Sequence, residues 1–177
     1  MRTYTRARIP GGCYFFTVNL ANRHGNDLLV RHIANLRDAF RRTRTEHPFM
    51  IDGIAILPDH LHCIWRLPEG DSNFPMRWRL IKARFSQSVP AGERITESRA
   101  RKGERGIWQR RYWEHAIRDE RDHRVHMDYI HFNAVRHGHV AAVRDWPHSS
   151  FHRCVRLGMY QADWGTAHAD AGVTGGE

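Results

Sequence analysis

Apolar positions along this chain change period in a definite order, and the order predicts an architecture. Residues 13–20, just after Gly11 and Gly12, are aromatic and β-branched and read as a first strand. Over residues 32–47, Ile33, Leu36 and Phe40 recur at helical spacing, with Arg37, Arg41 and Arg44 on an adjacent face, and Pro48 ends the helix. Residues 49–57 and 60–67 are strand-like, and Pro58 and Asp59 between them set a turn, so the two segments are expected to pair. Phe74, Trp78, Ile81 and Phe85 then form the apolar stripe of a second helix that should stop near Pro90. Residues 91–106 are charged and without period, which predicts a flexible loop. Residues 107–117 resume a strand, and residues 118–137 read as a helix closed by Gly138.

The order β-α-β-β-α-β plus one more helix is that of the split β-α-β, or ferredoxin-like, arrangement. The expected fold class is therefore α+β: an antiparallel sheet with helices on one face and an extra C-terminal helix, the other face being left for a site. Residues 1–164 are expected to form a single domain, and residues 165–177, small and polar, a disordered tail.

Charge narrows the partner. The formal net charge is +9 with a pI near 10.3, from arginines spread along the chain, which favours a polyanion over an acidic small molecule. Aromatic residues, at 11%, supply surfaces on which bases can stack. The three cysteines, Cys13, Cys63 and Cys154, form no C-x-x-C pair, as expected in a reducing compartment. No apolar run is long enough to span a bilayer and the first residues lack a signal-peptide core, so the expectation is a cytoplasmic protein with no membrane partner.

Two polar patterns carry candidate chemistry. His60 and His62 flank Leu61 in a strand, where alternation sends both imidazoles to one face and Leu61 and Cys63 to the other. They could share a metal ion, although with 14 histidines an H-x-H spacing arises by chance, as at His137 and His139. On the last helix Asp122, His126, Tyr129, Asn133 and His137 fall within about 80° of one another, making a polar stripe. A tyrosine half-buried at a helix–sheet contact is the commoner arrangement, and spacing alone does not orient this stripe toward the histidines.

The segments Gly11-Gly12-Cys13-Tyr14-Phe15-Phe16-Thr17, Leu57-Pro58-Asp59-His60-Leu61-His62-Cys63-Ile64-Trp65, Ile107-Trp108-Gln109, Trp113-Glu114-His115-Ala116-Ile117-Arg118 and Asp128-Tyr129-Ile130-His131-Phe132-Asn133 resemble, in order, the REP-associated tyrosine transposases. These are relatives of the IS200/IS605 one-tyrosine, His-x-His transposases. Asp145-Trp146-Pro147 and Ser150-Phe151-His152-Arg153 extend the resemblance to about residue 164. It implies a ferredoxin-like fold, a divalent metal bound by His60 and His62, Tyr129 as nucleophile, and Asn133 as a third, polar ligand. It also implies recognition of REP hairpins, short palindromes extruded as single strands, and cleavage near the hairpin foot. The family usually has proline after this asparagine; here Ala134 stands there, a change that bears on helix shape more than on chemistry.

The chemistry suits these residue types. A tyrosine hydroxyl, with a pKa of about 10, is a weak nucleophile at neutral pH, and a cation held by two neutral imidazoles and an amide can polarise the phosphate it attacks. Mixed nitrogen and oxygen ligands fit Mn²⁺ or Mg²⁺. The expected product is a 5′-phosphotyrosine with a free 3′-hydroxyl, which can be rejoined without ATP. Candidate DNA contacts are Arg77, Arg79, Lys82 and Arg84 on the second helix, Arg99, Arg101, Lys102 and Arg105 in the loop, and Trp108 or Tyr112 as stacking rings. A hairpin binder that does not cut, and a metal-dependent nuclease using water, remain open beside the transposase, as does the choice between monomer and homodimer. Glu114 and His115 match the family pattern without a role.

Overall fold

The computed structural model describes residues 8–166 apart from Arg94. The tail expected from residue 165 therefore lies, beyond Thr166, outside the described residues.

Four strands, β1 (Cys13–Asn19), β2 (Met50–Ile56), β3 (His60–Arg66) and β4 (Trp113–Ala116), form one antiparallel sheet in the order β2-β3-β1-β4. Two helices cross over between them: α2 (Ile33–Glu46), preceded by the short α1 (Leu28–Arg31), and α3 (Phe74–Ser88). This is the ferredoxin-like order read from the sequence. A four-residue helix, α4 (Glu97–Ala100), precedes β4. The longest helix, α5 (Glu120–Arg136), carries Tyr129, and a 3-10 turn (Val143–Asp145) and α6 (Phe151–Arg156) follow.

Strand alternation divides the side chains of β1 and β3 into two sets. Tyr14, Phe16, Val18, Leu61, Cys63 and Trp65 are buried against Leu36 and Phe40 of α2 and Phe74, Trp78, Ile81 and Phe85 of α3. Trp65 and Trp78 stack at 4.2 Å in the middle of this layer. Phe15, Ile64 and Ala55 point the other way and meet Met127 and Ile130 of α5 and Cys154 of α6. The expectation of helices on one face thus holds for the crossover helices, while the tyrosine helix lies on the opposite face.

Local chemistry sets the ends of α5 and its distance from the sheet. Asp119 caps its N-terminus by accepting from the Asp122 amide at 2.8 Å, and Gly138, at φ +70°, takes the left-handed conformation just past its end. The helix runs unbroken through Ala134. β2 is irregular between Ile51 and Gly53, and a Cβ at Gly53 would stand 2.4 Å from Met127 Sδ. A side chain there would force the Met127 thioether to move from its place against the strand.

Two sequence expectations change. The last strand spans four residues rather than residues 107–117, because Ile107 and Trp108 turn into the core and Trp108 makes only an isolated bridge to Leu20. Residues 91–106 are also tied down more than a flexible loop would be. Arg105 donates to the carbonyls of Val89 (2.8 Å) and Pro90 (2.7 Å) and pairs with Glu93 at 2.5 Å.

Candidate active site

The site grows from the second set of side chains on β1 and β3. His60 and His62 are both buried, at 3% exposure, on the α5 side of the sheet, with ring centroids 4.9 Å apart. Each ring is fixed through Nδ1. The Asp59 carboxylate accepts from His60 Nδ1 at 2.6 Å and is itself held by Arg23 Nε at 2.6 Å. Thr17 Oγ1, directly across the ladder from His62, lies 2.8 Å from His62 Nδ1. With the protons on Nδ1, both Nε2 lone pairs are left for a ligand, as in carboxylate- or hydroxyl-oriented metal histidines.

Burial lowers the pKa of His60, opposed by the Asp59 carboxylate and by the nearby Asn133 amide. Burial also pushes His62 well below the usual histidine value, and the neighbouring His60 and His137 add to the fall. Both rings are therefore held neutral, the state in which imidazole binds a metal.

α5 supplies the other members. Tyr129 meets His62 edge-on at 5.0 Å and Phe15 at 5.8 Å, and the Arg136 guanidinium lies 5.6 Å from its ring centroid. Asn133, one turn further along, is fully buried. Its amide oxygen and nitrogen make no hydrogen bond to another protein group, nor does the buried His62 Nε2. Desolvated polar atoms left without partners are costly unless something absent from the protein alone satisfies them. The orphaned His62 Nε2 and Asn133 amide, with the His60 ring 4.9 Å from that of His62, fit a divalent cation. The structure thus brings together His60, His62, Tyr129 and Asn133 and adds His137, whose ring is 5.1 Å from that of His60.

Two other groups of possible ligands converge among the described residues, Cys13 with Asp52 and His123, and His115 with Asp122 and His126. In both, the carboxylate already pairs with histidine and arginine side chains. Burial raises the Cys13 thiol to about 11, keeping it protonated, and the Asp122 carboxylate is shared by His115 (2.8 Å), His126 (3.1 Å) and Arg118 (3.2 Å).

The residues expected to contact DNA fare differently, and most of them serve the fold. Arg77 is 2% exposed, donates to the carbonyls of His47 (3.2 Å) and Pro48 (2.8 Å) and pairs with Asp71 at 2.6 Å. It is a buried tie between α3 and the end of α2, which corrects its reading as a phosphate contact. Trp108 is corrected likewise: it is buried, and its indole N–H donates to the Lys82 carbonyl at 3.3 Å. Lys82 Nζ donates to the Gln109 carbonyl at 3.0 Å and lies over the Tyr112 ring, which packs against Trp78. Arg84 donates to Thr43 Oγ1 at 2.9 Å and pairs with Glu46, and Arg99 donates to the Trp108 carbonyl at 3.1 Å. Arg79, Arg101 and Lys102 are exposed. All of α3 packs on the face of the sheet opposite the histidines.

Sequence reasoning did not assign Thr17, Asp59 or Arg23 to the site. Asp59 is adjacent in sequence to His60 and could have been suspected. Thr17 depends on the β1–β3 register, which spacing does not reveal.

No family model matches the chain. It is 46% identical, over 93% of its length and 91% of the relative's, to the REP-associated tyrosine transposase of Escherichia coli. A Haemophilus influenzae protein named for the same family is 44% identical over 93% of this chain and 94% of its own. A solved structure, a REP-associated tyrosine transposase bound to a REP hairpin, superimposes with a TM-score of 0.82 at 44% identity, covering 99% of this chain and 94% of that one.

Proposed function

Because this chain belongs to the REP-associated tyrosine transposases, we propose that it cleaves and rejoins single-stranded DNA beside REP-type hairpins, with Tyr129 as nucleophile and Mg²⁺ or Mn²⁺ as cofactor. The observation that carries this reading is the meeting of Tyr129 with His62, ring to ring at 5.0 Å, beside a buried amide and imidazole nitrogen that lack partners. Residues 1–164 would act as one unit in this reaction.

His60, His62 and Asn133 would hold the cation, which when bound withdraws charge from a phosphate oxygen and makes the phosphorus a better electrophile. Asp59 keeps His60 in the ligating tautomer, and Thr17, whose hydroxyl oxygen can accept from Nδ1–H, orients the His62 ring. Tyr129 Oη forms a bond to the phosphorus as the bond from phosphorus to the 3′-oxygen breaks. The phenol proton is lost and the departing 3′-oxygen gains one, so a 5′-phosphotyrosine and a 3′-hydroxyl result. Attack by a 3′-hydroxyl on the phosphotyrosine reverses the step and restores the phenol. Arg136, beside the Tyr129 ring, adds positive charge where a phosphate would approach.

The test is incubation of the purified protein with labelled single-stranded hairpin DNA and Mn²⁺, followed by denaturing electrophoresis. The expected result is a protein–DNA adduct that disappears in Tyr129→Phe and on chelation. Cleavage without an adduct would make the protein a hydrolase using water, and binding without cleavage would make it a hairpin binder; either overturns the proposal.

A further inference from the structure

Cation and tyrosine act on a phosphate, yet a flexible single strand must also be held by its bases, or the phosphate would seldom present itself in line. The sequence contains six tryptophans, of which only Trp113 is exposed, at 54%. An exposed indole carries no meaning alone. Here its surroundings are organised on two sides.

The Trp113 ring lies parallel to that of His115, 5.9 Å away at 4°, and His115 lies parallel to His126, 4.7 Å away at 15°. The two histidines are clamped by one carboxylate, Asp122, at 2.8 and 3.1 Å. Phe15 meets Trp113 edge to face at 5.7 Å and also touches the rings of His62 and Tyr129. The indole is therefore set in place by the parallel His115 ring and by the edge-on Phe15 ring, while half of its surface faces solvent.

The sheet register fixes where that surface is. Trp113 pairs with Thr17, and Thr17 pairs with His62, so the three stand in one row across adjacent strands. Two strand spacings, about 10 Å in all, separate the backbone of Trp113 from that of His62. A nucleotide beside the one whose phosphate rests at the histidines is thus within reach of the indole.

We propose that Trp113, backed by His115 and His126, is a stacking platform for an unpaired nucleobase flanking the scissile phosphate. The position of that phosphate rests on the reading of Tyr129 given above. A base paired in a hairpin stem has both faces covered, so the platform takes a base from the single-stranded flank. Stacking is tolerant of base identity, so presence of a base should matter more than which base it is.

The test measures binding in the Tyr129→Phe background, where no adduct forms, by anisotropy of a fluorescent REP-type hairpin with single-stranded extensions. A series of the same oligonucleotide carries an abasic site at successive positions of each flank. One abasic position is expected to weaken binding by about 10- to 100-fold. Trp113→Leu, which keeps apolar bulk without a ring, should cost a similar factor on the intact oligonucleotide and abolish the further loss at that position. Trp113→Phe should recover part of the affinity. Unchanged binding by Trp113→Leu, or an abasic loss equally deep in Trp113→Leu, overturns the platform. If the abasic pattern appears but wild-type protein forms no adduct, the nucleophile assignment fails and the platform stands.

Discussion

The two faces of the sheet are built from alternate residues of the same strands and solve opposite problems. On the α2–α3 face, Phe16, Trp65, Trp78 and Phe74 interlock and their apolar surface leaves water entirely. On the α5 face His60, His62 and Asn133 are buried as well, and there His62 Nε2 and the Asn133 amide are left unpaired. The first face gains its stability from packing; the second gives some up to hold polar groups in fixed positions. The comparison teaches that burial on the α5 face serves preorganisation, and that substitutions on the two faces should have separable consequences.

The largest separation is expected from Tyr129→Phe or His62→Ala, each lowering DNA cleavage by at least about a thousand-fold while shifting the thermal midpoint little. Single-turnover cleavage and thermal melting, measured side by side, check this; a large loss of stability in His62→Ala would break the comparison. Trp78→Ala should do the reverse, destabilising the fold by about 3–5 kcal/mol in urea titration while the folded fraction keeps its metal dependence. Between these lies Thr17→Val. It preserves shape but removes the oxygen beside His62 Nδ1, so metal-dependent cleavage should fall about 10- to 100-fold at saturating DNA and recover in part with added Mn²⁺.

The smallest effect is a pH dependence at the edge of the polar face. Burial alone would raise the Asp122 carboxyl, but hydrogen bonds from His115 and Arg118 dominate and hold it at about 2, below its ordinary 3.8. A depressed folded pKa adds stability above the unfolded value and loses it as acid protonates the folded state. Asp122 should therefore contribute fully above about pH 4, with the contribution vanishing toward about pH 2. Unfolding free energies from urea titration should be lower for Asp122→Asn than for wild type by about 1 kcal/mol at neutral pH, with the gap closing in acid.

Much of this was legible in the sequence. A period of two placed His60 and His62 on one face and Cys63 on the other, and a period of 3.6 gathered Tyr129, Asn133 and His137 on one stripe, because those periods follow from backbone geometry alone. What spacing could not supply was which face met which. Thr17 reaches His62 only through the β1–β3 register, and Trp113 reaches the site only because β4 joins the β1 edge. Arg77 misled for a related reason. Its position beside Trp78 looked like a solvated helix flank, but the open carbonyls at the end of α2 draw the guanidinium inward. Ile107 and Trp108 looked like strand because core residues in irregular segments are as apolar as those in a ladder.

The margins of the sheet carry a last consequence. Along β2, the Ile54 amide donates to Ser150 Oγ at 2.9 Å, the Ile54 carbonyl accepts from Ser150 N at 2.8 Å, and the Ile56 amide donates to the His148 carbonyl at 2.8 Å. That border is sewn shut by the segment before α6. The opposite border, β4, is only four residues long. A sheet so finished offers scant template for strands of other molecules to zip onto, which guards the protein against runaway self-association while leaving its one open hem next to the working residues.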